Sequence, residues 1–341
     1  MVGVPSLPFG SEVLVLQLAD EGRGPVLFGE SVNRVRPLVA PFIVGKEFPG
    51  VYFEFPLKGD PFLDVTVLYH EVEPGTRVDS EAAAGTGPMF DWYACERELD
   101  ENISCGFELD TKNPAMPTPA IHFQPRTNIG LVEPFCEAIG ESERGKLYLD
   151  QAKRMPKGWP LSFFGMFRGR PGSPLRVCGY LGTDVKERGA HDPAYIAEVF
   201  DQVGFTAYDD TMLSQVSALM AAAPGSLDFQ FDVYPDGRLS DVFAIDAQFE
   251  IKQPEVVHAS FADGPASHVM ALFEKWGIAD ERWKLGIDAT FARAIPVELE
   301  DGSVGRYAFT LMPQWIKARW SNKELQPSKL YFLGKAGLTE E

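Results

Sequence analysis

The sequence predicts an α+β fold in which about ten antiparallel strands close into a barrel ringed by α-helices. Three observations predict it. Strand-like segments alternate with period two, which puts side chains on opposite faces of a sheet, and their polar faces carry single acids, amides, cations and tyrosines where a solvent face carries runs of Lys, Glu, Thr and Ser. Most strands come in pairs joined too tightly for parallel crossovers. Helical stretches separate the pairs, so apolar strand faces have helices to pack on and no sheet edge need stay open.

The elements follow in order. The segment up to about Pro49 is a mixture of short apolar stretches with Gly and Pro. Val51–Leu57 and Leu63–His70 form a hairpin around Lys58-Gly59-Asp60-Pro61. Glu71–Met89 reads as a loop or frayed helix, and Phe90–Glu101 as helical. Ser104–Asp110 and Ala120–Arg126 make a second strand pair, Leu161–Arg168 and Leu175–Leu181 a third, and Leu227–Tyr234 and Ser240–Glu250 a fourth. Val304–Met312, Trp315–Trp320 and Pro327–Leu333 complete a fifth group. Between them lie helical stretches over Asn128–Lys153, over Asp192–Ala223, whose Asp-Pro start suits a helix N-terminus, and over Ala266–Trp276, ending at Gly277. No linker-like boundary interrupts residues 1–341, which read as one domain.

Bulk properties exclude several classes. The 341 residues are 45% hydrophobic and 23% charged, a globular balance, with no apolar run long enough to span a bilayer. Met1–Gly10 lacks the basic and apolar regions of a signal peptide, so a cytoplasmic protein is expected. The net charge of −18 repels nucleic acid. Cys95, Cys105, Cys136 and Cys178 show no metal-binding spacing and are expected as reduced, buried thiols. GxSxG, HExxH and DDxxD motifs are absent.

With apolar side chains facing the helices, the barrel interior collects Glu54, His122, Gln124, Arg176, Tyr180, Gln230, Asp232, Asp246, Gln248, Lys317, Lys329 and Tyr331. Arg176, Lys317 and Lys329, with the hydroxyls of Tyr180 and Tyr331, suit a polyanion such as a diphosphate, because each donates hydrogen bonds without adding negative charge. Glu54, Asp232 and Asp246 suit a proton acceptor or a neighbour of a carbocation. Plainer readings stand beside these: Lys317 and Arg319 as surface cations, Glu54 as a half-exposed strand acid, and His122 as a satisfied core histidine without a catalytic role.

Four segments, FEFPLKGDPFLD (Phe53–Asp64), MFRGRPGSPLRVCGYL (Met166–Leu181), LDFQFDVYPDGRLSD (Leu227–Asp241) and IKARWSNKELQPSKLYF (Ile316–Phe332), resemble the cyanobactin-type peptide prenyltransferases of the ABBA, or PT-barrel, group. The resemblance covers about residues 50–333 as scattered pieces, the most specific being Pro327-x-Lys329-x-Tyr331. It implies the ABBA barrel and transfer of a prenyl group, dimethylallyl or geranyl, from its diphosphate to a side chain of a ribosomally made peptide. It implies Glu54 as the acid at the acceptor, and Arg176, Lys317, Lys329, Tyr180 and Tyr331, with His70, as the diphosphate site. Asp232, Gln230, Asp246 and His122 would line the acceptor lumen. It further implies magnesium as cofactor, with no protein carboxylate cluster to hold it, and a monomer or weak dimer without nucleic-acid or membrane partners. The acid-rich interior suggests arginine as acceptor. A small-molecule aromatic prenyltransferase on the same barrel, and a non-enzymatic barrel binding a hydrophobic ligand or peptide, remain the alternatives.

Overall fold

The computed structural model describes residues 9–10, 27–39, 43–44, 50–69, 86–96, 103–109, 119–299 and 301–339. A short ladder of β1 (Phe9–Gly10) and β2 (Ile43–Val44) stands apart from the main sheet. The remaining strands are β3 (Gly50–Pro56), β4 (Asp64–Tyr69), β5 (Ser104–Leu109), β6 (Ala120–Gln124), β7 (Leu161–Met166), β8 (Leu175–Tyr180), β9 (Leu227–Val233), β10 (Leu239–Gln248), β11 (Phe291–Glu298), β12 (Val304–Ser321), β13 (Glu324–Leu325) and β14 (Lys329–Leu338). From β10 the pairing runs down through β9, β8 and so on to β3, then to β14 and β12. Antiparallel pairing of β10 with β12 closes the ring at ten strands. The barrel expected from the sequence is therefore present.

The inside-out polarity is present too. Val51, Phe53 and Phe55 of β3, Phe229 and Phe231 of β9, Phe243 of β10 and Trp320 of β12 are fully buried under helices. Those helices are α1 (Ser31–Val39), α2 (Gly87–Glu96), α3 (Val132–Ala138), α4 (Ser142–Arg154), α5 (Thr183–His191), α6 (Pro193–Val203), α7 (Asp210–Ala222), α8 (Val257–Ala262), α9 (Pro265–Lys275) and α10 (Arg282–Asp288). Phe135 of α3 stacks on Phe123 at 4.0 Å, and Phe200 of α6 meets Phe243 edge-on at 4.8 Å. Trp320 Nε1 donates to Gln215 of α7 at 2.8 Å. Each such aromatic removed from water stabilises the barrel wall by about 2–3 kcal/mol. No helix among the described residues is long and apolar enough to cross a membrane.

Local chemistry sets the helix boundaries. The helical stretch expected over Asn128–Lys153 divides into α3 and α4, because Gly140 takes a left-handed turn at φ 75°. The stretch over Asp192–Ala223 divides likewise at Gly204, φ 84°. At its start Asp192 caps α6 by accepting from Tyr195 N, with Pro193 in the first turn. Helices α5, α8 and α10 and strand β11 were not expected. Strand β11 pairs only with β12 and carries Pro296, as sheet-edge strands can. Strand β12 runs unbroken for 18 residues where two strands were expected, its register shifting between Pro313 and Trp315. Cys105, Cys136 and Cys178 are buried free thiols, whereas Cys95 is exposed, contrary to expectation. The expected loop over Glu71–Met89 lies largely outside the described residues, its end forming the start of α2.

Candidate active site

Strand register brings the predicted cations to one end of the barrel. Lys329 pairs across β12–β14 with Lys317, and Lys317 pairs across β10–β12 with Asp246. Tyr331 faces Glu54 across β14–β3, and Glu54 faces Asp64 across β3–β4. On the far wall Arg176 faces Asp232. A cavity of about 580 Å³ opens at this end, lined by Glu54, Arg176, Lys317, Lys329 and Tyr331 among others.

Charged residues that the sequence did not place in the site also line it, among them Asp64, Glu108, Arg170 and Arg319, with Lys58 contributed by the β3–β4 turn. Arg319 and Glu108 were recoverable from alternation, since each lies two residues from a lumen position on its own strand. Arg170 and Lys58 were not, because cations in Gly- and Pro-rich turns usually point to water. The lining thus holds six cations, Lys58, Arg170, Arg176, Lys317, Arg319 and Lys329, on an acidic chain.

Most of these cations already have anionic partners. Lys329 Nζ donates to Asp64 Oδ2 at 2.8 Å and to Glu54 Oε2 at 3.1 Å. Arg176 grips Asp232 through Nε at 2.8 Å and Nη2 at 3.3 Å. Arg170 Nη2 donates to Glu108 at 2.9 Å, and Lys317 lies 3.6 Å from Asp246. Lys58 donates to the Gly277 carbonyl, and Arg319 alone of the six has neither hydrogen bond nor ion pair for its guanidinium among the described residues. Burial and the neighbouring Arg176 guanidinium together lower its proton affinity.

The carboxylates respond to burial in opposite ways. Burial opposes the charge on Glu108, but the His122 hydrogen bond at 3.2 Å and the Arg170 and Arg176 guanidiniums prevail and hold it well below the usual carboxylate range. Asp232 is lowered as Arg176 overcomes its burial. Asp246 is pushed up to about 6 by burial, against the pull of Lys317. Asp228, which faces it across β9–β10, is pushed up to about 8 by burial and then by Asp246.

Aromatic rings continue the site below the cations. Lys317 Nζ sits 4.8 Å from the Tyr331 ring, Tyr331 stacks on Trp315 at 5.2 Å, and Trp315 leans on Tyr52 at 4.6 Å. Glu54 borders this column and accepts from Thr66 Oγ1 at 3.2 Å. Such a column places π faces where a cation generated beneath an anion site would lie.

The other sequence-predicted residues lie elsewhere. Tyr180 is on the inner face but four residues beyond Arg176, about 13 Å along the strand; it faces Asp228 and lies outside the cation-lined cavity. Gln230 donates to Asp246 in mid-lumen, and Gln248 donates to Asp228 at 3.2 Å. Gln124 accepts from Ser104 at 2.9 Å. His122 joins the site only through Glu108. His70 lies outside the described residues. Gly165 lies against lumen side chains, where an added Cβ would stand 2.9 Å from the His122 ring and 3.1 Å from the Phe167 ring. Gly106 and Gly179 are required by backbone approach, since an added Cβ would stand 2.0 Å from the Val67 and Pro160 carbonyl oxygens.

Among the described residues no three His, Cys, Asp or Glu side chains group to hold a metal ion. Glu54, Asp64 and Glu108 in the cavity are instead engaged by Lys329 and Arg170, so the donor set does not fit a protein-held magnesium.

Comparison with solved structures finds this architecture in 5-dimethylallyltryptophan synthase from Streptomyces coelicolor, at 15% identity over 99% of each chain and a TM-score of 0.53. The same enzyme in complex with DMASPP and Trp matches at 16% identity over 99% of this chain and 96% of that one, with a TM-score of 0.52. The prenyltransferase PriB in its apo form matches at 12% identity over 95% of each chain, with a TM-score of 0.51. No family model and no curated protein matches the sequence. The chain therefore has the ABBA prenyltransferase barrel fold.

Proposed function

We propose that this protein is a prenyltransferase that moves dimethylallyl, or the longer geranyl group, from its diphosphate to a side chain of a ribosomally made peptide. One observation carries the reading: the lumen cations converge on one cavity directly above the Tyr331–Trp315–Tyr52 column, with Glu54 beside it. A non-enzymatic carrier gives no reason for that convergence. Arg176, Lys317, Lys329 and Arg319 hold the diphosphate and neutralise charge as its C–O bond breaks. The aromatic column shields the allylic cation, the acceptor atom bonds to its carbon, and Glu54 takes the proton the acceptor loses. Diphosphate leaves with the bonding pair. No step is assigned to magnesium.

The peptide acceptor rests on the four resembling segments. Arginine is favoured among peptide side chains by the lumen carboxylates Glu54 and Asp246, which complement a guanidinium in charge. A second reading, a small aromatic acceptor, is favoured by the fold neighbours, one of which is named for tryptophan.

The test is mass spectrometry after incubation with dimethylallyl or geranyl diphosphate and separate acceptors: peptides bearing Arg, Tyr, Trp, His, Ser or Thr, and free tryptophan. An isoprenoid adduct on the Arg peptide is expected. Modification of free tryptophan alone supports the second reading. No adduct on any acceptor, with no diphosphate binding, removes the transferase.

A further inference from the structure

The cavity that receives the donor is close to balanced in charge. Its six cations stand against Glu54, Asp60, Asp64 and Glu108 in the lining, with Asp232 and Asp246 directly behind Arg176 and Lys317. A diphosphate brings several negative charges into this space, and the site offers few cations that are not already engaged. Lys329 is the most heavily engaged, held between Asp64 and Glu54.

Asp64 is placed to decide what Lys329 does. It is almost completely buried at 2% exposure, at the start of β4, opposite Glu54 in the ladder. Its contact with Lys329 is the shorter of the two. Burial opposes the charge on Lys329, and Asp64, followed by Glu54, outweighs it and raises the proton affinity of the amine. Two oxygens that both touch one ammonium lie within about 6 Å of each other, the range in which carboxylates deprived of a cation promote protonation of one another. Among the described residues the other charged or titratable groups around them are Glu108 of β5, Arg170 of the β7–β8 turn, Arg176 of β8, Asp246 of β10, Lys317 and Arg319 of β12, Tyr331 of β14 and, from the β3–β4 turn, Lys58 and Asp60.

Resting on the donor site proposed above, we propose that Asp64 competes with the donor diphosphate for Lys329 and makes donor binding proton-linked. When Lys329 turns to the anion, Asp64, still beside Glu54, gives up that contact and takes one proton from solvent. Asp64 is thus a positioning residue: it touches Lys329, and through Lys329 it tunes how tightly the cavity holds a donor.

The probe is inorganic pyrophosphate, titrated calorimetrically into the full-length wild type and Asp64→Asn between pH 5.5 and 8. The ligand's own titration is common to both proteins, so the ratio of their Kd values isolates the residue. At pH 8 the wild type must break the Lys329–Asp64 contact without a proton to replace it, whereas the amide holds Lys329 more weakly. The variant is expected to bind about tenfold more tightly there, with the ratio narrowing towards one as the pH falls, consistent with uptake of one proton. Asp64→Glu should restore the pH dependence. If the amide variant does not fold, Asp64→Ser removes the same charge. Equal or weaker binding by the charge-free variant at pH 8, or a ratio that does not change with pH, overturns the proposal and leaves the donor site standing. Failure of both proteins to bind pyrophosphate overturns the donor site and this inference together.

Discussion

At the scale of single residues, the lumen turns on how buried carboxylates are compensated. Glu54, proposed above as the proton acceptor, borders the aromatic column and touches Lys329 and Thr66. Glu54→Gln should therefore lower turnover by about 100-fold or more while pyrophosphate still binds. A change confined to KM would assign Glu54 to substrate binding alone. Asp228 makes a different prediction. Its affinity for a proton is higher in the folded protein than in the unfolded chain, with an ordinary carboxylate value of 3.8 pushed up to about 8. Stability tied to that proton is complete in acid and is lost as the pH rises from about 4 through 8. Asp228→Asn carries no such dependence. Its melting temperature should match or trail wild type near pH 5 and exceed it by several degrees at pH 8, as read by scanning calorimetry across that range. Parallel curves would show that Asp228 is ionised in the folded state.

At the scale of elements, alternation determined which side chains face inward but not how deep they sit. Glu54, Arg176, Lys317, Lys329 and Tyr331 were legible because period two is independent of context, and the cavity collects all of them. Tyr180 obeys the same alternation on the strand of Arg176, yet lies at a different height in the barrel, because depth depends on inter-strand register. Asp64 falls within the strand expected over Leu63–His70, alternating with Leu63 and Val65, so its face was legible, but its contact with Lys329, 265 residues further on, was not. Helix α5, rich in Lys, Glu and Arg, lacks the apolar stripe by which helices are recognised. Packing between elements also explains glycines that a sequence can only flag. Gly179 lies on the outer face of β8, where an added Cβ would meet the Pro160 carbonyl at 2.0 Å and the Phe229 ring at 2.7 Å. Gly179→Ala must move backbone to fit and should cost about 1–3 kcal/mol or more, measured by chemical denaturation. Wild-type stability in that variant would contradict the close packing of β7 against β8.

At the scale of the whole molecule, fold class and polarity were readable because a barrel packed outward on helices inverts the usual pattern on every strand at once. Charge was the less transparent property. The −18 total surrounds a lumen whose own charges nearly cancel, so the long-range field opposes an approaching diphosphate even though the cavity gathers six cations. Salt should screen that opposition within about 8–10 Å. Stopped-flow association of pyrophosphate is expected to quicken as NaCl rises towards 0.15 M, by an effect on the order of a few-fold. Slowing with salt would mean that the cavity cations dominate the approach.

The contact between Glu54 and Lys329 joins positions 275 residues apart in the chain. The acid comes from the first strand of the ring in chain order and the ammonium from the last, and the two strands pair directly. During synthesis, therefore, no partial chain holds the site: a ribosome that has released nine strands has made most of the wall and none of the Glu54–Lys329 pair. Closing so long a loop is entropically costly, and the barrel offsets that cost only when β14 docks. Closure of the ring and assembly of the Glu54–Lys329 pair thus coincide, and a molecule truncated before Pro327 would lose its closing strand and that pair in a single cut.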